Sequence, residues 1–189
     1  MIRIAVFASG NGTNAENTIK YFQNSTIAHV VLVLSNNKNA KVLERANKLG
    51  ISTVTFNKHD FLTSKSVETL LKDQADFVVL AGFLWRIPIG IIESFPNKIV
   101  NIHPALLPKY GGKGMYGAHV HQAVKKNKET ESGITIHFVN EKYDDGNIIF
   151  QKSFEIPANF SVKDIAEEIH KLEQAHFPVI IEKVLKKII

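Results

Sequence analysis

The stretch RIAVFASGNGTNAE, residues 3–16, decides the fold class of this chain. Five apolar residues follow Arg3 without interruption, as expected of a strand covered on both faces, and a polar loop with two glycines then leads into a helical pattern. Similar apolar runs recur, and the strands predicted from them are residues 3–8, 28–35, 52–56, 77–82 and 99–102. The amphipathic stretches between them predict helices over residues 13–22, 40–49, 64–73 and 89–95. This alternation predicts an α/β fold: a doubly wound, mostly parallel sheet with helices on both faces.

The second half of the chain has a different pattern. A helix is predicted near residues 118–126, and two alternating stretches, residues 132–140 and 147–156, read as an antiparallel pair of strands joined by the turn EKYDDG. A long amphipathic helix over residues 162–187 closes the chain, with Ser161 as its N-cap and Asp164 three residues later. Pro178 lies inside this helix and is expected to break or kink it. We expect a single domain over residues 1–189 with an antiparallel C-terminal extension.

The composition limits the classes of function. The chain has 189 residues, a formal net charge of +5 and no cysteine. Disulfides, zinc–thiolate sites and a thiol nucleophile are therefore excluded, which fits a cytoplasmic location. The lysines are scattered and do not alternate with aromatic residues, so nucleic-acid binding is not predicted. Neither a membrane-spanning apolar run nor a signal peptide is recognisable, so no membrane partner is expected.

The loop after the first strand has the pattern of an anion site. Gly10, Gly12 and Ala15 fit G-x-G-x-x-A, in which backbone N–H groups and a helix N-terminus can surround a phosphate. A dinucleotide site would also need a carboxylate after the second strand, and the sequence there is SNN. We therefore expect a single phosphate, with Thr13 and Asn14 as further donors. The alternative is a tight turn whose side chains cap the helix.

A second group of polar residues surrounds the end of the fifth strand. Asn101 and His103 are two residues apart and project to the same side of a strand, where Pro104 keeps the chain extended. An amide and an imidazole suit chemistry that places negative charge on a carbonyl oxygen. Asp144 or Asp145, both in the turn, would favour the charged imidazole, and His137 is expected to face the same cleft. The alternative is that these are all satisfied structural residues.

A metal site is not predicted. His119 and His121 are close in sequence, but the chain has no cysteine and no helical carboxylate partner for them at i, i+4 spacing.

Five motifs together resemble a known family. FASGNGTN, VVLAGF, VNIHPALLPKY, GITIHFV and YDDGNII occur in this order over nearly the whole chain. They are similar to those of the phosphoribosylglycinamide formyltransferase family, folate-dependent enzymes of purine biosynthesis. The resemblance implies transfer of a formyl group from the co-substrate 10-formyltetrahydrofolate to the amine of glycinamide ribonucleotide, without a metal.

The resemblance also implies roles for individual residues. Its catalytic trio falls on Asn101 as oxyanion donor, His103 as general acid or electrostatic partner and Asp144 as orienting carboxylate, with His137 in support. The substrate-binding residues that it implies are Gly12, Thr13, Asn14 and Glu173. The folate-binding residues that it implies are Leu84, Trp85, Arg86, Ile87, Asn101, Asn140, Glu141, Lys142, Tyr143 and Asp144.

Two other functions stay open from the sequence. One keeps the fold and changes the acceptor, giving a formyltetrahydrofolate hydrolase or a formyltransferase for another amine. The other is a nucleotide-binding module without catalysis, which would leave Asn101, His103 and Asp144 unexplained. The loop over residues 109–117 is longer than the family pattern and is expected to form a wall or cover of the cleft. Either a monomer or a homodimer is compatible with the sequence.

Overall fold

Seven strands form one mixed sheet in the computed structural model, which describes residues 1–188. The strands are β1 (Ile2–Phe7), β2 (Ala28–Ser35), β3 (Ser52–Thr55), β4 (Phe77–Leu80), β5 (Ile99–His103), β6 (Glu131–Phe138) and β7 (Ile148–Glu155). The helices are α1 (Thr13–Phe22), α2 (Lys41–Lys48), α3 (Lys58–Leu62), α4 (Ser66–Gln74), α5 (Ile89–Ser94), α6 (Ala118–Lys126) and α7 (Val162–Leu185). The strand order is β3-β2-β1-β4-β5-β6-β7; β1 to β5 are parallel, and β6 and β7 add antiparallel pairings. The predicted fold class is confirmed.

The sheet is covered on both faces, and β1 shows this residue by residue. Ile4 and Val6 belong to one buried cluster, while Ala5 and Phe7 belong to the other. Residues from α1, α2, α6 and α7 complete the first cluster, and residues from α3, α4 and α5 complete the second. Because side chains alternate between two apolar environments, the strand appears in the sequence as an uninterrupted apolar run.

The strand order determines where a ligand can bind. β2 and β3 lie on one side of β1, and β4 to β7 lie on the other side, so the strand order reverses between β1 and β4. In open α/β sheets the crevice for ligands lies at such a switch point, beyond the carboxyl ends of the strands. The loops after β1, β4 and β5 open on this edge. Within residues 1–188, no helix is long and apolar enough to cross a membrane.

The short helix α3 was not predicted. It begins with a capping box, in which the Asn57 side chain accepts a hydrogen bond from the Asp60 N–H at 3.0 Å. The Asp60 carboxylate accepts one from the Asn57 N–H at 3.2 Å. This N-x-x-D spacing was the available signal, since helices of five residues are too short to show a period.

Of the two outcomes expected at Pro178, a break or a kink, the break is wrong. α7 runs without interruption from Val162 to Leu185, with Pro178 inside it, and the Ser161–Asp164 capping box is confirmed. Proline has no N–H to donate to the carbonyl four residues earlier, which is that of Gln174. The side chain of Asn17, on α1, donates to this carbonyl at 2.8 Å and replaces the missing donor. A neighbouring helix thus satisfies the group that proline leaves unbonded.

Candidate active site

Two neighbouring strands hold the polar centre of the site. β5 and β6 pair with Asn101 opposite His137, and the Asn101 Nδ2 lies 3.0 Å from the His137 Nε2. The His137 Nδ1 lies 2.7 Å from the carbonyl oxygen of Phe138. Since a carbonyl only accepts, His137 carries its proton on Nδ1 and accepts the Asn101 amide at Nε2. The prediction that His137 faces the cleft of Asn101 is confirmed.

Asp144 completes this centre from the turn between β6 and β7. Its Oδ1 lies 3.4 Å from the Asn101 Nδ2, 3.5 Å from the His103 Nδ1 and 3.7 Å from the His137 Nε2. Its Oδ2 accepts a hydrogen bond from the Gly112 N–H at 2.9 Å. One carboxylate therefore connects the end of β5, the strand β6 and the glycine-rich loop.

The turn that carries Asp144 is folded tightly against β6. Asp144 has a left-handed backbone, with a φ of 52°. A Cβ at Gly146 would collide with the carbonyl of Phe138, so the turn returns to the strand only with glycine there. The sequence YDDG is common in turns, and its spacing does not reveal that the first aspartate points into the site.

His103 and Asp144 shift each other's pKa. Burial lowers the pKa of His103, and the Asp144 carboxylate and the carbonyl of Tyr110 oppose this shift. For Asp144, burial acts to raise the pKa, but the nearby His137 ring, the charge of a protonated His103 and the Gly112 N–H outweigh it, so the pKa is lowered. Asp144 is therefore a carboxylate at neutral pH, and it is the group that allows a buried His103 to carry a proton during a reaction.

Sequence reasoning missed the groups that orient His103. Its Nε2 lies 2.7 Å from the backbone oxygen of Tyr110. The Tyr110 hydroxyl donates a hydrogen bond to Glu129 at 2.9 Å and accepts one from the Asn127 side chain at 2.9 Å. Lys109 forms an ion pair with Glu129 at 3.2 Å. These contacts hold the start of the long loop against the imidazole. A backbone acceptor has no residue-type signature, so no motif indicated it.

The loop after β1 has two properties of an anion site. Gly12 has a φ of 77°, and a Cβ there would collide with Val42 of α2, so glycine is required. No side chain caps α1, so the alternative in which a loop side chain caps this helix is wrong. The first N–H groups of α1 thus have no side-chain acceptor. Arg45, which was not predicted, holds the loop by donating to the Asn11 carbonyl at 2.9 Å.

Two of the predicted substrate-binding residues contact each other. The Asn14 Nδ2 donates to Glu173 at 2.9 Å, and the Asn14 Oδ1 accepts from Gln174 at 2.6 Å. The Asn14 side chain therefore joins the loop after β1 to α7 rather than pointing at a phosphate. Thr13 lines the cleft beside it.

The cleft has a wide part and a narrow part. The wide part, of about 630 Å³, is lined by the loop after β1, the loop over residues 112–117, His103, His121 and Glu173. The narrow part, of about 50 Å³, is lined by Trp85, Arg86, Ile87, His137, Asn140 and Lys142. Asn101, Tyr143 and Asp144 line both parts. Two of the three predicted catalytic residues, Asn101 and Asp144, thus stand where the two parts meet, and His103 lines the wide part.

The predicted folate-binding residues divide between these two parts. Leu84 lines the wide part, and Glu141 lines neither. Trp85 also packs in an aromatic cluster, with ring centroids 6.0 Å from Phe56 and 5.9 Å from Phe61. Ser9 accepts a hydrogen bond from the Leu84 N–H at 3.0 Å and so ties this loop to β1, a contact that the sequence did not indicate. Among residues 1–188, no three His, Asp or Glu side chains are grouped as metal ligands.

Comparison with known proteins identifies the family. The model of the formyl transferase family matches residues 2–181. The chain belongs to the formyl transferase family. Among its curated relatives in this family is the phosphoribosylglycinamide formyltransferase of Bacillus subtilis, which is 33% identical over 98% of this chain and 95% of its own. The chloroplastic enzyme of the same name from Arabidopsis thaliana is 41% identical over 90% of this chain.

The formyl transferase fold is also found in solved structures. A phosphoribosylglycinamide formyltransferase from Bacillus halodurans superposes with a TM-score of 0.88 at 32% identity, covering 99% of this chain and 97% of that one. The family resemblance expected from the five motifs is confirmed. The chain covers 62% and 60% of the length of the relatives from Arabidopsis thaliana and Vigna unguiculata.

Proposed function

We propose that this formyl transferase family member moves a formyl group from 10-formyltetrahydrofolate to the amine of glycinamide ribonucleotide, a step of purine biosynthesis. The observation that carries the proposal is the cluster of Asn101, His103 and Asp144 at the junction of a wide and a narrow cleft. Such a junction brings two substrates together at one set of acid–base groups. The names of the relatives support the choice of substrates.

The wide part of the cleft suits the ribonucleotide. The uncapped N-terminus of α1 offers backbone donors and a partial positive charge to a phosphate. Gly12 is the N-cap of α1, Thr13 and Asn14 are its first two residues, and Glu173 stands beside Asn14 at 2.9 Å. A carboxylate is a good acceptor for neutral sugar hydroxyls. We therefore assign the phosphate to the loop and the sugar to Glu173.

We assign the ring system of the folate to the narrow part, whose volume of about 50 Å³ must increase for the ring to enter. The narrow part lies between the loop after β4 and the turn over residues 140–144. The family resemblance implies that backbone groups of these two segments contact the heterocycle. Trp85, Arg86 and Ile87 belong to the first wall, and Asn140, Lys142 and Tyr143 belong to the second. Leu84 lines the adjoining wide part, and Glu141 lines neither part. Planar heterocycles with several donors and acceptors suit such backbone-lined pockets.

The chemistry follows from the positions of the three side chains. The neutral amine attacks the formyl carbon, a new C–N bond forms, and negative charge develops on the formyl oxygen. Asn101 exchanges its 3.4 Å contact with Asp144 for this oxygen, and a protonated His103 stabilises it. The C–N bond to the folate then breaks. The proton that leaves the amine reaches the folate nitrogen by a route that Asp144 organises.

One assay tests the proposal. The protein is mixed with 10-formyl-5,8-dideazafolate and glycinamide ribonucleotide, each omitted in turn, and deformylation is followed by absorbance. Product that requires both compounds is the expected result. Deformylation without the ribonucleotide would indicate the hydrolase, and no reaction would contradict both. His103→Ala is expected to lose turnover, while His59→Ala, an exposed histidine on α3, serves as the matched control.

The other expectations stay predictions. They are a single domain over residues 1–189, a monomer or homodimer, a cytoplasmic location, and no part for metal, nucleic acid or membrane.

A further inference from the structure

One buried histidine of the cleft has no role in the proposed formyl transfer. His121 stands in the first turn of α6 and lines the wide part of the cleft, yet it is only 7% exposed. Its Nδ1 is enclosed and has no hydrogen-bond partner among the described residues. Buried polar atoms are nearly always hydrogen-bonded, so this side chain needs an explanation.

A packing role does not account for His121. Its neighbours on the buried face of α6 are Val120 and Val124, both less than 2% exposed. A leucine or methionine would fill the same space without enclosing an unbonded nitrogen. Sequences keep a locally unfavourable residue chiefly at functional sites.

The position of His121 selects one of the two substrates. It lines the wide part of the cleft with Gly12, Thr13 and Glu173, and it does not line the narrow part. Burial lowers the pKa of His121, Glu173 acts to raise it and His103 acts to lower it. Its ring therefore lies within electrostatic range of both the sugar carboxylate and the catalytic imidazole.

We propose that His121 binds the ribonucleotide through its Nε2, and that its partner is a sugar hydroxyl. This inference rests on the proposed function. The enclosed Nδ1 cannot meet a ligand, which leaves Nε2. A buried neutral imidazole accepts a hydrogen bond from a hydroxyl group, and the nearby Glu173 carboxylate would repel a phosphate at this position.

Three variants test this assignment. His121→Leu is expected to weaken binding of glycinamide ribonucleotide about tenfold, in both KM and Kd, as for one lost hydrogen bond. The KM for the folate substrate should stay within about twofold. His121→Gln, whose amide reaches the position of Nε2, should recover most of the affinity. Gln122→Leu, an exposed neighbour on the same helix, is the matched control.

Two results would overturn the assignment. One is unchanged affinity of His121→Leu for the ribonucleotide, measured by calorimetry without folate. The other is an equal rise in KM for both substrates, which would indicate a general distortion of the cleft. If His121→Leu proves unstable in thermal melts, His121→Asn takes its place, since its amide reaches the Nδ1 position and leaves Nε2 empty. A wild-type protein without transferase activity would instead contradict the proposed function.

Discussion

Two carboxylates line the cleft, Asp144 and Glu173, and their side chains are almost equally buried, at 12% and 14% exposed. Asp144 stands on a turn among two imidazoles, an amide and a backbone N–H. Glu173 stands on a long helix, accepts from the amide of Asn14 and lies 3.8 Å from the Nδ1 of the half-exposed His170. Similar burial thus accompanies different neighbours.

This difference indicates that Asp144 and Glu173 have different roles in the reaction. The two imidazoles near Asp144 are buried, and a carboxylate there stabilises a charge that appears on His103 during the reaction, so its loss should affect kcat. The imidazole near Glu173 is half-exposed and outside the catalytic group, and this carboxylate keeps lone pairs for neutral hydroxyls, so its loss should affect KM. Four predictions test or refine this contrast.

The largest effect is expected at Asp144. Asp144→Asn keeps the shape of the side chain and removes the charge that supports a protonated His103. We expect kcat to fall about 10³-fold, within the range for lost acid–base assistance, with an unchanged circular dichroism spectrum. Asp145→Asn, its exposed neighbour, should keep wild-type kcat. Equal losses in the two variants would remove the special role of Asp144.

A smaller and different effect is expected at Glu173. Glu173→Gln should raise the KM for the ribonucleotide about tenfold, with kcat within about threefold, because one charged acceptor for a hydroxyl becomes a neutral one. Steady-state kinetics at varied ribonucleotide concentration measure both constants. Glu167→Gln, a more exposed residue of the same helix, is the control. If Glu173→Gln lowers kcat and leaves KM unchanged, Glu173 acts as Asp144 does and the proposed difference between the two carboxylates is wrong.

The helix that carries Glu173 depends on the contact between Asn17 and the carbonyl of Gln174. Asn17→Ala should lower the free energy of unfolding by about 1–2 kcal/mol, because that carbonyl loses its donor. In the Pro178→Ala variant the backbone N–H at position 178 can donate to the Gln174 carbonyl. Asn17→Ala should therefore lower the free energy of unfolding by less in this variant than in the wild type. Urea denaturation of the four proteins measures this coupling. If the two substitutions change the free energy of unfolding by amounts that simply add, the Asn17 side chain does not replace the N–H that Pro178 lacks.

The smallest effect concerns the titration of His103. Burial lowers its pKa in the wild type, and Asp144 opposes this shift. Asp144→Asn should therefore move the midpoint of His103 to a still lower pH, because the favourable charge is gone while the burial remains. NMR titration of the imidazole ring signals measures it. Glu173→Gln should move the midpoint in the same direction and by less, since the charge of Glu173 is the weakest contribution to this pKa. A rise in either variant would contradict the assignment.

Most of the fold was predictable from local patterns. α1 and α6 begin and end where the sequence predicts, and β2 and β5 differ from the predicted strands by at most one residue. Two predictions failed: helix α3 was missed, and a break was expected at Pro178. α3 is shorter than the period that reveals helices, and Pro178 is tolerated because a side chain from another helix supplies the missing donor.

The sequence by itself determined the succession along the chain of the seven strands and of every helix except α3, the glycine at position 12 and the family motifs. These depend on periodicity and on the backbone requirements of neighbouring residues. Only the tertiary structure decided which side chains meet. Asn101 faces His137 through the register of β5 and β6, Asn14 reaches Glu173 across 159 residues, and His121 turns into the cleft. The physical reason is that strand register and helix packing depend on the whole core, whereas motifs depend on adjacent residues.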